Sequence, residues 1–110
     1  MRDGRISEQD WKLFRKLLPG WQEAYMERLV CAYLELLNGP QKASDKFWAL
    51  EERIRKDQHD VGVQARMSRS MALPNLVALM REGTITMADL EPFSEELREA
   101  IQLILSWDHA

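Results

Sequence analysis

The sequence is poor in the residues that hold small folds together by disulfides or metals. Cysteine occurs once, as Cys31, and histidine twice, as His59 and His109, in 110 residues. A lone cysteine excludes a disulfide within the chain, and these three side chains lack the short spacing of zinc ligands. We therefore expect no metal, no cofactor and no catalytic constellation.

Long apolar runs are also lacking. The two longest, around residues 29–37 and 71–80, are interrupted by Glu35 and by Pro74. Both fall short of the ~18 residues that a membrane-spanning helix needs. No apolar stretch follows the charged N-terminus, so no signal peptide is predicted. These absences predict a cytoplasmic protein without a membrane partner.

Glycine and proline are few, with five and four residues, while 45% of the chain is hydrophobic and 30% is charged. This composition is typical of a folded domain with long helices. We predict an all-α fold, a compact bundle of about five to six helices with short connections, in one domain spanning residues 1–110. Residues 1–6 are expected to be flexible and residues 108–110 to fray.

Apolar residues recur at every third or fourth position, which is typical of helices with one buried face. Pro19-Gly20 and Asn38-Gly39 are predicted to separate the first three helices. The predicted helices span about 7–18, 21–37, 41–58, 63–70, 73–82 and 95–107, with a short turn at 86–89.

The segment after residue 62 is predicted to contain a break. At ~100° per residue, Val63, Met67 and Met71 share one direction. The apolar residues after position 72 point elsewhere, and Pro74 lies at the change, where it removes a backbone hydrogen bond. The pattern therefore predicts two helices with a break near Pro74.

Several residues have the spacing of helix caps. Ser7 is an N-cap candidate, and Asp10 is placed to reach back to its amide. Thr86 and Asp89 repeat this pattern, and Ser94 is predicted to cap the last helix. Gly83 is predicted to end the helix before them.

Trp48, in the predicted helix 41–58, is the tryptophan that fits the apolar face of its helix least well. Ala43, Phe47, Leu50 and Ile54 form the predicted inner stripe of this helix, and Trp48 lies beside that stripe. A tryptophan in this position either widens the core or faces a partner, because Trp is enriched at binding hot spots. Cys31 is predicted to pack in or near the core as a small hydrophobic residue.

Each side chain considered for a catalytic or ligand-binding role can also be explained by an ordinary structural role. His59 follows a predicted helix end among carboxylates, which favours a solvated surface role. Arg66 to Ser70 fits either a phosphate-gripping turn or the outer face of a short helix. A helix-turn-helix reading places this segment on a DNA-reading helix. The net charge of −3 lacks the positive excess of duplex-binding proteins.

Three stretches carry a resemblance. They are Met67-Ser68-Arg69-Ser70, residues 79–85 with Gly83-Thr84-Ile85, and residues 89–97 with Asp89-Leu90-Glu91-Pro92-Phe93-Ser94. Together they resemble small uncharacterised all-helical bacterial proteins of no assigned function. The resemblance implies a helical fold and brings no activity.

The leading functional hypothesis is a non-enzymatic protein-interaction or self-association module, with a protein partner or a homodimer. Its candidate partner-binding residues are Trp48, Arg66 and Arg69. The first alternative is a weak nucleic-acid binder that uses Arg66, Arg69 and Arg81. The second is a small enzyme or ligand carrier with a pocket between helices.

Overall fold

The computed structural model describes residues 6–109, all of them helical or in connecting turns, with no strand among them. Five α-helices confirm the predicted all-α class. They are α1 (Glu8–Leu37), α2 (Ala43–Asp57), α3 (Val61–Gln64), α4 (Ala72–Glu82) and α5 (Glu95–Ser106), and two 3-10 turns cover Met87–Leu90 and Trp107–His109.

Helix α1 runs without interruption through Pro19, so the predicted separation of two helices at Pro19-Gly20 is wrong. An internal proline costs about 3 kcal/mol because one backbone hydrogen bond is lost. Here Pro19 and Gly20 face solvent, whereas Leu18 is buried and Trp21 packs against the core. Burial on both sides of the proline offsets its local cost.

Most of the predicted caps are confirmed. Ser7 Oγ accepts a hydrogen bond from the Asp10 amide at 3.1 Å, and Thr86 and Asp89 form a reciprocal capping box. Ser94 Oγ accepts from the Leu97 amide at 3.2 Å. Gly83 ends α4 with φ 83°, a left-handed conformation that favours glycine. These contacts are local, so residue type and spacing suffice to predict them.

The Asp10 carboxylate, however, does not turn back to the Ser7 amide. It is 3% exposed and accepts from Ser94 N at 2.9 Å and from Ser94 Oγ at 2.6 Å. A carboxylate from α1 therefore lies at the N-terminus of α5, where it complements the helix dipole. This contact joins residues 84 positions apart.

The break near Pro74 is confirmed, with different boundaries. Helix α3 spans only four residues, the chain is irregular from 65 to 71, and Pro74 lies in the first turn of α4, where it is tolerated. The predicted helix 63–70 is therefore wrong. Arg66 to Ser70 lie in the irregular segment, so the helix-turn-helix reading has no recognition helix.

The core lies where the first half of α1 meets α4 and α5. Its buried apolar side chains are Ile6, Phe14, Leu18, Ala72, Leu76, Val77, Leu79, Ile85, Leu90, Phe93, Leu97 and Ile101. Among the described residues from 22 to 58, Leu29 is the only buried apolar side chain. The chain therefore buries its apolar surface mainly at one end of α1.

The second half of α1, residues 22–37, and α2 extend away from this core; we call them the arm. The molecule measures 55 × 32 × 22 Å, with a radius of gyration of 16.8 Å. A compact chain of this length has a radius of gyration of about 13 Å. The arm is thus a projecting pair of helices.

The chain ends are partly held by side chains from elsewhere. Ile6, expected in a flexible segment, is buried, and its carbonyl accepts two hydrogen bonds from Arg69. Asp108, expected to fray, forms a bidentate pair with Arg81 at 2.9 and 3.0 Å. Residues 1–5 and Ala110 lie outside the described residues.

Candidate interaction surface

Apolar side chains cover one face of the arm and remain exposed. We call this set the arm face: Met26, Val30, Leu34, Leu37, Phe47 and Ile54. In α1, the four apolar positions fall within roughly 80° of a helical wheel at ~100° per residue. In α2, Ile54 lines the same concavity as Met26 and Val30, and Phe47 shares a second concavity with Ile54. The arm face therefore spans both helices.

The predicted inner stripe of α2 is not buried in the described residues. Ala43, Phe47 and Ile54 are exposed, and Leu50 is half-buried. Helix α2 packs mainly on α1. The buried residue of α2 is Asp57, not a member of the apolar stripe. The periodicity correctly marked an apolar face, but no other part of residues 6–109 covers it.

Phe47 and Trp48 form an exposed aromatic pair. Their ring centroids lie 4.9 Å apart at an angle of 84°, an edge-to-face arrangement that aromatic pairs prefer. Phe47 is 63% exposed and Trp48 is 64% exposed. Trp48 therefore does not widen the core.

Cys31 is exposed, so the prediction of core packing is wrong. It follows Val30 in α1 and lies outside the arc of the helix that the arm-face residues occupy. Core packing was predicted because the surrounding sequence is apolar. The helix presents that apolar stretch to solvent instead.

Hydrogen bonds from two tyrosines connect α1 with the residues that end α2 and begin α3. Tyr33 Oη donates to Asp57 Oδ2 at 2.7 Å, and Arg53 Nε donates to the same oxygen at 2.9 Å. Tyr25 Oη donates to Asp60 Oδ2 at 2.5 Å. The sequence analysis missed this role, because it placed these carboxylates on a solvated surface around His59.

These contacts raise the pKa of both tyrosines. Burial, followed by the hydrogen bond to Asp57, raises the pKa of Tyr33 from its ordinary value of 10.0 to about 12. Burial and the hydrogen bond to Asp60 likewise raise the pKa of Tyr25. Ionised tyrosine is disfavoured because it must give up its donated proton beside a carboxylate.

We expect the tyrosinate absorbance of the native chain to appear well above pH 10, with Tyr33 titrating near 12. A raised folded pKa means that the stabilisation is complete below the unfolded pKa of 10.0 and is lost as the pH rises through the folded value. The chain has two tyrosines, both in the arm, so the whole signal reports on it. The urea-unfolded chain is the control. A native midpoint near 10 would contradict the hydrogen-bonded arrangement.

Two of the concavities that interrupt the arm border α2. One, of about 210 Å³, lies between α1 and α2; it is lined by six apolar or aromatic side chains (Met26, Leu29, Val30, Tyr33, Ile54 and Val63), by Gln58, and by Asp57, which is already paired with Tyr33 and Arg53. The second, of about 410 Å³, lies along α2 beside Phe47, Leu50 and Ile54. The first is large enough for an aromatic ring, since a 150 Å³ apolar cavity accommodates benzene.

The structure places the candidate arginines in different roles. Arg69 is half-buried and bound to the Ile6 carbonyl, and Arg81 is paired with Asp108. Arg66 is exposed, and its side chain forms no hydrogen bond or ion pair within the described part of the chain. The three side chains thus do not form one free basic surface, because two of them have intramolecular partners.

Arg66 and His59 line an open cleft of about 450 Å³ together with Ser68 and Asn75. No hydrogen bond joins His59 to Ser68 in the described residues, and Ser68 Oγ lies 3.2 Å from Ser70 Oγ. The cleft therefore brings cationic and hydroxyl groups to one place without a paired base and nucleophile.

Among residues 6–109, no group of three or more His, Cys, Asp or Glu side chains is arranged to hold a metal ion. Within the same residues, no helix is both long and apolar enough to cross a membrane.

Comparison with known proteins adds no assignment: no family model, no curated protein and no solved structure matches the chain.

Proposed function

We propose that this chain is a non-enzymatic helical module that acts by binding protein, either a separate partner or another copy of itself. The observation that carries the proposal is the arm face, which the described fold leaves uncovered. Monomeric proteins rarely expose contiguous apolar patches above a few hundred Å² unless the patch has a binding role.

The composition of the arm supports this assignment. Binding hot spots are enriched in large aromatic side chains near the centre of an apolar patch. The Phe47–Trp48 pair provides two such rings, each more than half exposed. Tyr33 and Asp57 meanwhile fix α2 against α1. A face held in place before binding loses less conformational entropy when a partner docks.

We expect Trp48→Ala to weaken association by roughly 30-fold, which corresponds to the ~2 kcal/mol typical of a hot-spot residue. Trp107→Ala is the matched control, because Trp107 is 61% exposed on a different element. Self-association is measured by sedimentation over a range of concentrations. Partner binding is measured by quantitative capture from the native cell extract with each variant as bait. Equal losses for both tryptophans would contradict a specific role of the arm.

A small-ligand role is the second candidate, and it is supported by the cleft at His59. The Arg66 side chain there is exposed and has no partner in the described residues, and no acidic side chain lines the cleft. Such a lining suits a small anion. Titration with inorganic phosphate, followed by NMR shifts of Ser68 and Asn75, tests this candidate. It predicts saturation in the wild type and none in Arg66→Ala.

A further inference from the structure

We infer that the arm binds a second copy of this chain. Two copies pack arm face to arm face, and the Phe47–Trp48 pair of each packs on the apolar concavity between α1 and α2 of its partner and inserts one ring into it. This inference rests on the proposed binding function and specifies the partner. It follows from three properties of the arm: its shape, its charge distribution and its area.

The shape argument is that one chain carries both halves of the contact. The aromatic pair projects from the first half of α2. The concavity beside Val30 and Ile54, of about 210 Å³, involves the end of the same helix. A two-fold axis across the arm exchanges these two ends and sets each projection opposite a concavity. This self-complementarity is what an isologous dimer requires.

The charge argument is that two copies of the arm face can meet without placing like-charged side chains against each other at the centre of the interface. All six residues of the arm face are uncharged. Glu23 and Glu27 lie along its α1 edge, and Glu51 and Arg55 on its α2 edge already form an ion pair with each other. Charged groups at a rim stay hydrated, whereas central ones lose their water. A copy of the same face can therefore cover it without burying an unpaired charge.

The area argument compares what the arm exposes with what a dimer needs. The exposed parts of the six apolar side chains amount to roughly 500 Å² per copy, or about 1,000 Å² for a pair. Trp48, which is 64% exposed, and the polar rim extend this into the 1,200–2,000 Å² of a stable interface. The chain also exposes 7576 Å² in total, compared with roughly 6,300 Å² for a compact monomer of its mass.

The first test measures molecular mass. In sedimentation equilibrium, the wild type should reach twice the 12.9 kDa chain mass as the concentration rises. Val30→Arg puts a charge at the mouth of the concavity and should raise the dissociation constant by on the order of 100-fold. Leu103→Arg is the matched control, because Leu103 is an exposed apolar residue on α5 outside the arm. It should dimerise like the wild type.

A mixing experiment tests the geometry of the contact. Val30→Arg blocks both concavities, and the double variant Phe47→Ala/Trp48→Ala removes both projections, so each protein alone should be monomeric. In an equimolar mixture, the intact aromatic pair of the first can pack on the intact concavity of the second. The mixture should therefore associate at least 10-fold more tightly than either protein alone. Nonspecific apolar sticking does not produce this recovery.

Both variants change exposed side chains, so helical content by circular dichroism should match the wild type. Failure of the mixture to recover association would overturn the inferred geometry. A wild type that stays monomeric up to millimolar concentration would overturn the dimer. If such a monomer still captured a partner that Trp48→Ala loses, the proposed binding function would stand without self-association. If it captured nothing, both would fall.

Discussion

Asp10→Ala is expected to lower the free energy of unfolding by roughly 2–3 kcal/mol, because a buried donor loses its partner. The carboxylate is almost fully buried and accepts two hydrogen bonds from Ser94. Removing it leaves the Ser94 amide without its partner and takes a negative charge from the N-terminus of α5. The measurement is urea unfolding followed by circular dichroism.

Glu8→Ala is the matched control for this prediction. Glu8 lies in the same first turn of α1, but its pair with Lys12 spans 3.8 Å between side chains that are mostly exposed. Surface pairs of this kind contribute less than about 1 kcal/mol. Equal effects of the two substitutions would show that Asp10 acts only through the dipole of α1 and not through α5.

A double-mutant cycle locates the Asp10 effect. Ser94→Ala removes the N-cap of α5 and the hydrogen bond that Ser94 Oγ donates to Asp10. The two losses should be less than additive, because residues that share hydrogen bonds couple by 0.5 kcal/mol or more. Additive losses would contradict a direct contact between α1 and the start of α5.

Gly62→Ala is expected to lower the free energy of unfolding by about 1–3 kcal/mol, the usual cost of forcing an extra carbon into a packed site. A Cβ atom at this position would lie 2.6–3.0 Å from three atoms of the Tyr25 ring. The Gly62 amide also donates to Glu82 Oε2 at 2.8 Å, which limits how far α3 can shift. The close approach of α3 to α1 therefore requires glycine.

Gly20→Ala is the opposite case and serves as control. Gly20 lies inside α1, and nothing would come within 4 Å of its added Cβ. Alanine is favoured over glycine in a helix interior by about 0.5–1 kcal/mol, so this substitution should stabilise the chain. Gly62→Ala should also move the tyrosinate titration toward pH 10, since the Tyr25–Asp60 bond is displaced. A stabilising Gly62→Ala would refute the close packing.

The arm relates these stability effects to function. Tyr25, Tyr33 and Gly62 set where α2 and α3 lie against α1, so they determine whether the arm face is one continuous surface. None of them belongs to the arm face itself. Substitutions at Tyr25 or Gly62 should weaken association indirectly, in proportion to their loss of structure, whereas a substitution at Tyr33 also changes the lining of the concavity. Substitutions at Val30 or Phe47 should weaken association while leaving the fold intact.

Sequence patterns predicted the features that depend on neighbours in the chain. The caps at Ser7, Thr86 and Ser94 follow from side chains that bond to backbone within four residues, and the cap at Gly83 follows from the left-handed conformation that glycine adopts. The break near Pro74 follows from the geometry of a single proline ring. In each case, the energy that decides the structure is local, so residue type and spacing are sufficient.

Tertiary packing decided the remaining features. Helix α1 continues through Pro19 because Leu18 and Trp21 pack on either side of it. Asp10 binds α5 rather than its own helix start. A stripe such as Phe47 and Ile54 looks the same in sequence whether it faces a core or a partner.

The amino-acid sequence by itself determined that this chain is helical, where its helices are capped, and that α2 has an apolar face. Only the tertiary structure decided that this face is left uncovered and that the arm projects from the core. The physical reason is that periodicity records which side chains avoid water. What covers them depends on contacts between residues that lie far apart in the chain.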